Sequence, residues 1–190
     1  TLYQCYQALP FDEILLTLPA DYRSYWEELY KAVSPKVPHR IVDGGQERFD
    51  SVKAALSTLE AGDGLVGIHD GVRPFASAAL IAEAFTVAAS QQAAVPLVKV
   101  RDSLRIQTND QWMPLDRSLV RKVQTPQVFD LQDLREAYEQ AGDQPSTDDA
   151  QIWEKAGHSL PFIDGEAARF KLTRDPDLAY ARFVFQYGTT

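Results

Sequence analysis

Short apolar runs alternate with segments of helical periodicity along the first half of the chain. Four apolar runs predict β-strands, at residues 14–18, 40–42, 66–68 and 94–98. Between them, apolar positions recur every three or four residues and predict helices at residues 21–33, 49–59 and 77–90. Because each helix connects two strands, we expect right-handed crossovers and a doubly wound, mostly parallel sheet of the α/β class.

The last third of the chain returns to this alternation, without an internal repeat or a linker. Its pattern predicts helices at 131–140, 148–156 and 176–185, and strands at 159–163 and 170–172. With 190 residues, 45% of them hydrophobic, the chain is long enough to bury one core. We therefore expect a single domain over residues 1–190.

Residues 100–127 interrupt the alternation. Segments 103–107 and 120–124 alternate in polarity around a turn signal at Thr108-Asn109-Asp110, so this stretch predicts an extended hairpin, a projecting β-arm. The arm has too few apolar residues to support itself. We expect it to be covered by the body of the domain or by a second subunit.

The most informative motif is VGIHDGVRP at residues 66–74, where an apolar run ends in charged residues. Such an end lies at the carboxyl edge of a parallel sheet, where open α/β sheets bind ligands. Asp70 is suited to hold a divalent cation or sugar hydroxyls, Gly71 lets a ligand approach the backbone, and Arg73 offers a fork of donors to an anion. A strand, a turn and an exposed ion pair are the alternative interpretation.

A glycine pair marks a second candidate site, between a predicted strand and a predicted helix. Gly44 and Gly45 precede Gln46 and Ser51, and glycines at such a turn let backbone groups approach a flat ligand such as a nucleobase. An ordinary tight turn is the more frequent reason for a lone glycine pair.

Three further polar residues lie at the ends of predicted segments. Thr125 closes the arm with a hydroxyl next to a proline, and Thr147 begins a cluster typical of a helix N-cap. Lys171 lies between Phe170 and Leu172 and points to the face opposite theirs. Capping and ordinary solvation are the alternatives for the last two residues.

Composition narrows the classes of ligand. A formal charge of −8 and a pI near 4.9 argue against nucleic acid and anionic membranes as partners, so a local cluster of Arg and Lys must meet any small phosphorylated ligand. A single cysteine, Cys5, excludes an internal disulfide framework and indicates a reducing, cytoplasmic compartment. No apolar run approaches the ~20 residues of a membrane span.

Taken in order, the clusters resemble a known enzyme family. The series DGGQERFDSV, HDGVRP, VRDS, DRSLVRKVQTPQVF, TDDA and FKLT is similar to that of the 2-C-methyl-D-erythritol 4-phosphate cytidylyltransferases of non-mevalonate isoprenoid biosynthesis. The resemblance implies a Rossmann-like nucleotidyltransferase fold, a homodimer joined by the arm, and Mg²⁺-dependent transfer of CMP from CTP.

The resemblance also implies roles for individual residues. Gly45, Gln46 and Ser51 would border the cytosine, and Gly44 and Gly71 would complete the nucleotide-binding residues. Asp70 would hold ligand hydroxyls near the metal, and the methylerythritol phosphate pocket would be lined by Arg73, Thr125, Thr147 and Lys171. Ser103 and Arg117, on the arm, would reach into the partner's site. Many relatives have an acid at Gln46 and a threonine at Ser103, and both differences keep hydrogen-bonding capacity.

Two alternatives stay open at the level of sequence. Ribitol 5-phosphate cytidylyltransferases share most of these motifs, although DRSLVRKVQTPQVF is closer to the isoprenoid enzymes. The family's first strand and glycine-rich loop, which grips the triphosphate, would precede Thr1, and we expect that segment in the whole protein. A chain without it would be a catalytically inactive nucleotide-binding dimer.

Overall fold

A computed structural model describes residues 1–33, 36–60, 62–142, 146–167 and 170–188. Its helices are α1 (Leu2–Ala8), α2 (Arg23–Val33), α3 (Arg48–Ser57), α4 (Ala78–Gln91), α5 (Leu131–Ala141), α6 (Asp149–Lys155) and α7 (Asp175–Tyr187). Its strands are β1 (Leu15–Leu18), β2 (Arg40–Asp43), β3 (Leu65–Ile68), β4 (Ala93–Lys99), β5 (Leu104–Thr108), β6 (Gln111–Leu115), β7 (Arg121–Val123), β8 (Gln127–Asp130) and β9 (Phe162–Asp164). The predicted alternation of the first half is therefore present.

The strands of the body pair in two groups. β1 and β2 are parallel, with Leu15 opposite Arg40 and Leu18 opposite Asp43. The larger sheet has the order β3-β8-β4-β7, and β9 also pairs with β4. Because β8 is antiparallel to both β3 and β4, while β9 is parallel to β4, the strands β3, β4 and β9 share one direction. The antiparallel strand β8 was not predicted.

Helices cover both faces of the larger sheet. Val95 and Phe129 face a core that α3, α5 and α6 complete, with Trp153 at its centre. Ala94 and Val128, one position along each strand, face α4 on the other side. All five side chains are fully buried or nearly so. Burial on both faces is the reason that the segment forming β4 is apolar without alternation.

The prediction for the arm is correct in outline and wrong in its strand pairing. Segment 103–107 pairs not with 120–124 but with β6, from Leu104 opposite Leu115 to Thr108 opposite Gln111. Asn109 and Asp110 both have positive φ, as a two-residue hairpin turn requires, so the strand immediately after the turn becomes the partner. Segment 120–124 instead supplies β7, which pairs with β4.

The strand predictions near the C-terminal end are also corrected. The strand predicted at 159–163 is β9, which is shorter and begins later. Residues 170–172 form no strand. Leu172 N–H donates to the carbonyl oxygen of Val72 at 2.8 Å, and this bond keeps the segment beside the loop that follows β3. Across the described ranges, no helix combines the length and apolar character needed to cross a membrane.

Candidate active site

Asp70, immediately after β3, lies among three cationic side chains. Its Oδ2 is 3.1 Å from Arg73 Nε and 3.1 Å from Lys171 Nζ, and its Oδ1 is 3.3 Å from Arg48 Nε. The Asp70 side chain is only 10% exposed, so this is not the exposed ion pair of the alternative interpretation. The predicted trio of Asp70, Arg73 and Lys171 is brought together, although Lys171 is about 100 residues away in sequence.

The cations determine the charge state of Asp70. Burial raises the pKa of this carboxyl group, but the charges of Arg48 and Lys171 and the hydrogen bonds from Lys171 and Arg73 outweigh burial. The pKa of Asp70 therefore lies below its ordinary value. At neutral pH the group is a carboxylate, which accepts hydrogen bonds and donates none.

Thr125 is tied to the same loop by a chain of hydrogen bonds. Its Oγ1 accepts the Asp70 N–H at 3.1 Å and lies 2.9 Å from His69 Nδ1. His69 Nε2 lies 3.2 Å from the carbonyl oxygen of Arg73, which can only accept, so Nε2 carries the ring proton. Nδ1 then accepts the Thr125 hydroxyl proton. Burial lowers the pKa of His69 to about 4, although the bond to Arg73 and the charge of Asp70 act in the opposite direction.

A cleft of about 130 Å³ contains most of the predicted acceptor site. Five predicted residues line it: Asp70, Arg73, Thr125, Thr147 and Lys171. The other lining residues were not predicted from the sequence; they are Arg48, Val123, Gln124, Gln127 and Asp148. A larger groove, of about 770 Å³, lies along residues 6–14 and 38–40, but Asp70 and its cations line only the smaller cleft.

The start of α6 contributes two different acids. The cluster that begins at Thr147 does contain the N-cap: this residue is Asp148, whose Oδ1 accepts Gln151 N–H at 3.1 Å. Asp149 is fully buried and receives both terminal nitrogens of Arg48, at 3.0 and 2.5 Å, and the hydroxyl of Tyr138 at 2.5 Å. Arg48 follows the glycine turn and Asp149 follows Thr147, so both were within quoted motifs. Their pairing joins residues 101 positions apart and has no local sequence signal.

The glycine turn lies outside this cleft. Gly45 N–H donates to Ser51 Oγ at 3.1 Å, and Ser51 Oγ donates to the Glu47 carbonyl at 3.1 Å, which closes the turn into α3. A Cβ on Gly45 would come within 2.2 Å of Asp50 Cβ, and one on Gly44 within 2.9 Å of Ser51 Oγ. The local packing thus requires glycine at residue 45. Gln46 is exposed beside this turn.

The remaining predicted residues do not line the cleft. Gly71 is exposed, and its carbonyl oxygen accepts the hydroxyl of Thr1 at 2.7 Å. Ser103 is exposed on the arm, and Arg117 donates to the carbonyl oxygen of Arg101 within the same arm. Neither Ser103 nor Arg117 lines the cleft of its own chain.

No group of three or more His, Cys, Asp or Glu side chains that could hold a metal ion occurs in the described part of the chain. Asp70 supplies one carboxylate to the cleft and Asp148 a second. Mg²⁺ in phosphate-transfer sites is commonly held by one or two carboxylates together with substrate phosphates. The donors present therefore fit a cation that arrives with a nucleotide, and do not form a metal site by themselves.

The family follows from comparison with known proteins. A family model described as 2-C-methyl-D-erythritol 4-phosphate cytidylyltransferase matches residues 2–187. The chain belongs to this family. A 2-C-methyl-D-erythritol 4-phosphate cytidylyltransferase from Phocaeicola vulgatus is 40% identical over 171 residues, which are 90% of this chain and 78% of that protein.

Solved cytidylyltransferase structures confirm the predicted Rossmann-like α/β fold. The 2-C-methyl-D-erythritol 4-phosphate cytidylyltransferase of Thermus thermophilus superposes with a TM-score of 0.79 at 30% identity, covering 92% of this chain and 83% of that one. The 4-diphosphocytidyl-2C-methyl-D-erythritol synthase of Anaerococcus prevotii gives 0.83 at 27% identity, covering 97% and 86%. The cleft described above thus belongs to a nucleotidyltransferase enzyme.

The glycine turn yields a stability prediction. Gly45→Ala should lower the free energy of unfolding by about 1–3 kcal/mol, because the new Cβ forces the first turn of α3 to move. Gly71→Ala is the matched control, since no atom lies within 4 Å of its Cβ, and should change stability by less than about 0.5 kcal/mol. Urea unfolding of both variants measures the difference. Equal losses would contradict the packing argument for Gly45.

His69 yields a pH prediction. The unfolded chain protonates His69 near its ordinary pKa of 6.5, whereas the folded protein does so only near 4, so stability is lost as pH falls between these values. From pH 7.5 to 5.0, wild type should lose about 2 kcal/mol more than His69→Gln, which does not titrate there. Urea unfolding at the two pH values measures this double difference. An identical pH dependence in the two proteins would contradict a buried neutral His69.

Proposed function

We propose that this protein transfers CMP from CTP to 2-C-methyl-D-erythritol 4-phosphate, releasing pyrophosphate and forming 4-diphosphocytidyl-2-C-methyl-D-erythritol for isoprenoid biosynthesis. One observation carries the proposal: a cytidylyltransferase-family chain places Asp70 beside Arg73 and Lys171 in one cleft. A carboxylate and two cations suit a ligand that has both hydroxyls and a phosphate.

The reaction needs positioning more than covalent chemistry. An oxygen of the acceptor phosphate attacks the α-phosphorus of CTP, a new P–O bond forms, and the bond to the β-phosphate breaks to release pyrophosphate. Arg73 and Lys171 bind the acceptor phosphate and hold the attacking oxygen in line. Asp70 accepts hydrogen bonds from the acceptor hydroxyls.

The two threonines of the cleft present different groups to the acceptor. Thr125 donates its hydroxyl proton to His69 Nδ1, so its Oγ1 offers a lone pair to a ligand hydroxyl. Thr147 Oγ1 accepts the side-chain amide of Gln151 at 2.7 Å, which leaves its own proton for a phosphate oxygen. In this proposal Thr125 contacts the methylerythritol chain and Thr147 contacts its phosphate.

The glycine turn forms the cytosine side of the site in this proposal. Gly44, Gly45 and Ser51 keep the backbone close to the base, and Gln46 offers both a donor and an acceptor to its edge. Gly71 leaves room for the nucleotide beside Asp70. Support comes from α3, which begins directly after the turn and contributes Arg48 to the cleft.

Mg²⁺ is the proposed cofactor, with Asp70 as its protein ligand beside the phosphates of CTP. When bound, it would neutralise charge that develops on the triphosphate during transfer. The protein's own cations, Arg73 and Lys171, do the same for the acceptor. We place this chemistry in the cytoplasm, in agreement with the single cysteine.

The arm supports a homodimer as the working assembly. Apolar side chains of the arm that the single chain leaves exposed include Ile106, Trp112, Met113 and Leu119. Ser103 and Arg117 are on this arm and do not line the cleft of their own chain. If two arms cross a twofold axis, the partner subunit covers the apolar residues of each arm. Each arm also brings its Ser103 and Arg117 to the neighbouring cleft.

The acceptor is tested by pyrophosphate release from CTP and Mg²⁺ with protein expressed from its complete gene. Release should require methylerythritol 4-phosphate. The kcat/KM for ribitol 5-phosphate should be lower by at least about tenfold. Equal or reversed rates would assign the protein to ribitol phosphate. Binding of CTP without turnover of either acceptor would indicate an inactive nucleotide-binding dimer.

The shared site is tested by mixing two nearly inactive variants, Asp70→Asn and Arg117→Ala. After unfolding and refolding together, about half of the dimers are mixed, and each mixed dimer has one site with both changes and one with neither. The expected recovery is about a quarter of wild-type activity. Mass spectrometry confirms the mixed dimers. Mixed dimers without recovered activity would show that Arg117 serves its own chain or only the interface.

A further inference from the structure

Arg48 is bound by two carboxylates at once. Its Nη1 and Nη2 donate to Asp149 at 3.0 and 2.5 Å, and its Nε donates to Asp70 at 3.3 Å. The guanidinium plane is therefore fixed at both edges. Although Arg48 lines the cleft, its charge is compensated by these acids, so it is poorly suited to bind a substrate phosphate.

The two oxygens of Asp70 are held in different ways. Oδ1 is bound by Arg48, whose other partner, Asp149, is 0% exposed. Oδ2 is bound by Arg73 and Lys171, whose side chains are 17% and 42% exposed. Separating Arg48 from the fully buried Asp149 leaves an uncompensated buried charge and costs several kcal/mol. Lys171, the more exposed of the two cations on Oδ2, can instead turn toward an incoming phosphate at little cost.

Asp149 is itself held from two directions. Tyr138 donates its hydroxyl to Asp149 Oδ1, and the Tyr138 ring stacks on Phe49 with 5.0 Å between centroids. Gln127 Oε1 accepts the backbone N–H of Ala150 at 2.9 Å, which fixes the first turn of α6 to β8. Burial and the charge of Asp149 raise the pKa of Tyr138, so its hydroxyl stays protonated and donates.

We propose that Asp149, held by Tyr138, is a positioning residue for the acceptor: it anchors Arg48, and Arg48 holds Oδ1 of Asp70 while Arg73 and Lys171 leave Oδ2 for the substrate. The inference rests on the proposed function, in which Asp70 binds the acceptor hydroxyls. It assigns different roles to the two oxygens of that carboxylate: Oδ1 keeps its partner, and Oδ2 exchanges its partners when the substrate binds. Asp149 and Tyr138 touch no substrate and act only through Arg48.

Tyr138→Phe tests the inference, because it removes one hydroxyl and leaves the stacked ring. The KM for methylerythritol 4-phosphate should rise about threefold to tenfold, and by at least about threefold more than the KM for CTP, because CTP meets Asp70 only through Mg²⁺ in the proposed function. Asp149→Asn should have a larger effect in the same direction. If Asp149→Asn does not fold, Tyr138→Phe still decides the matter. A purely structural role would lower stability without separating the two KM values.

Two controls accompany these variants. Glu13→Gln disrupts an exposed two-bond pair with Arg40, which lies outside the cleft, and should leave both KM values unchanged. Because Asp70 variants are nearly inactive, the second control measures acceptor binding by calorimetry. In an Asp70→Ala background, which has no carboxylate left to position, Tyr138→Phe should change the acceptor Kd by less than about twofold.

The outcomes separate the two proposals. In an active enzyme, three results would overturn the positioning role. The acceptor KM of Tyr138→Phe could be unchanged, or both KM values could rise in parallel. Tyr138→Phe could also weaken acceptor binding as much in the Asp70→Ala background as in wild type. Absence of turnover in the wild-type protein would instead overturn the proposed function, and the positioning role with it.

Discussion

A carboxylate removed from water must be compensated by cations and hydrogen-bond donors, and the cleft is organised around this requirement. Asp70 and Asp149 both meet it, and both use Arg48. The compensation joins four segments: the end of β3, the start of α3, the start of α6 and the stretch that carries Lys171. Each segment is short, and none could position its polar residue alone.

The ladder along β4 places the remaining groups of the cleft. β7 and β8 both run antiparallel to β4, and the chain between them leaves the ladder at residues 124–126. Thr125 lies in this break, so its side chain turns to His69 and the Asp70 backbone. Gln127, at the start of β8, is buried and holds the N-terminus of α6. The segment from β7 to β8 thus holds both the loop after β3 and the helix that carries Asp149.

The arm and the body satisfy different constraints. The body buries apolar side chains on both faces of β4 and β8, which gives it a core of its own. The β5–β6 hairpin exposes Ile106, Trp112 and Met113. An isolated two-stranded ribbon is marginal in water, so this hairpin needs a covering surface more than the rest of the chain does. In the proposed dimer, a crossed pair of arms would cover the hairpin and would also give Arg117, which does not line its own cleft, a cleft to serve.

Local sequence determined the elements and much of the cleft. Apolar runs and helical spacing report burial, so the strands and helices of the first half were predictable, and the ordered motifs identified Asp70, Arg73, Thr125, Thr147 and Lys171. The Asn109-Asp110 turn also indicated a hairpin, but the partner predicted for its first strand was segment 120–124. The strand directly after the turn is the partner, and segment 120–124 pairs with β4, a contact that only the tertiary structure decides. Arg48, Asp149 and Tyr138 were not recognised as one network. Their pairing was decided only by tertiary structure, because compensation of a buried charge depends on distance in space and leaves no periodic trace along the chain.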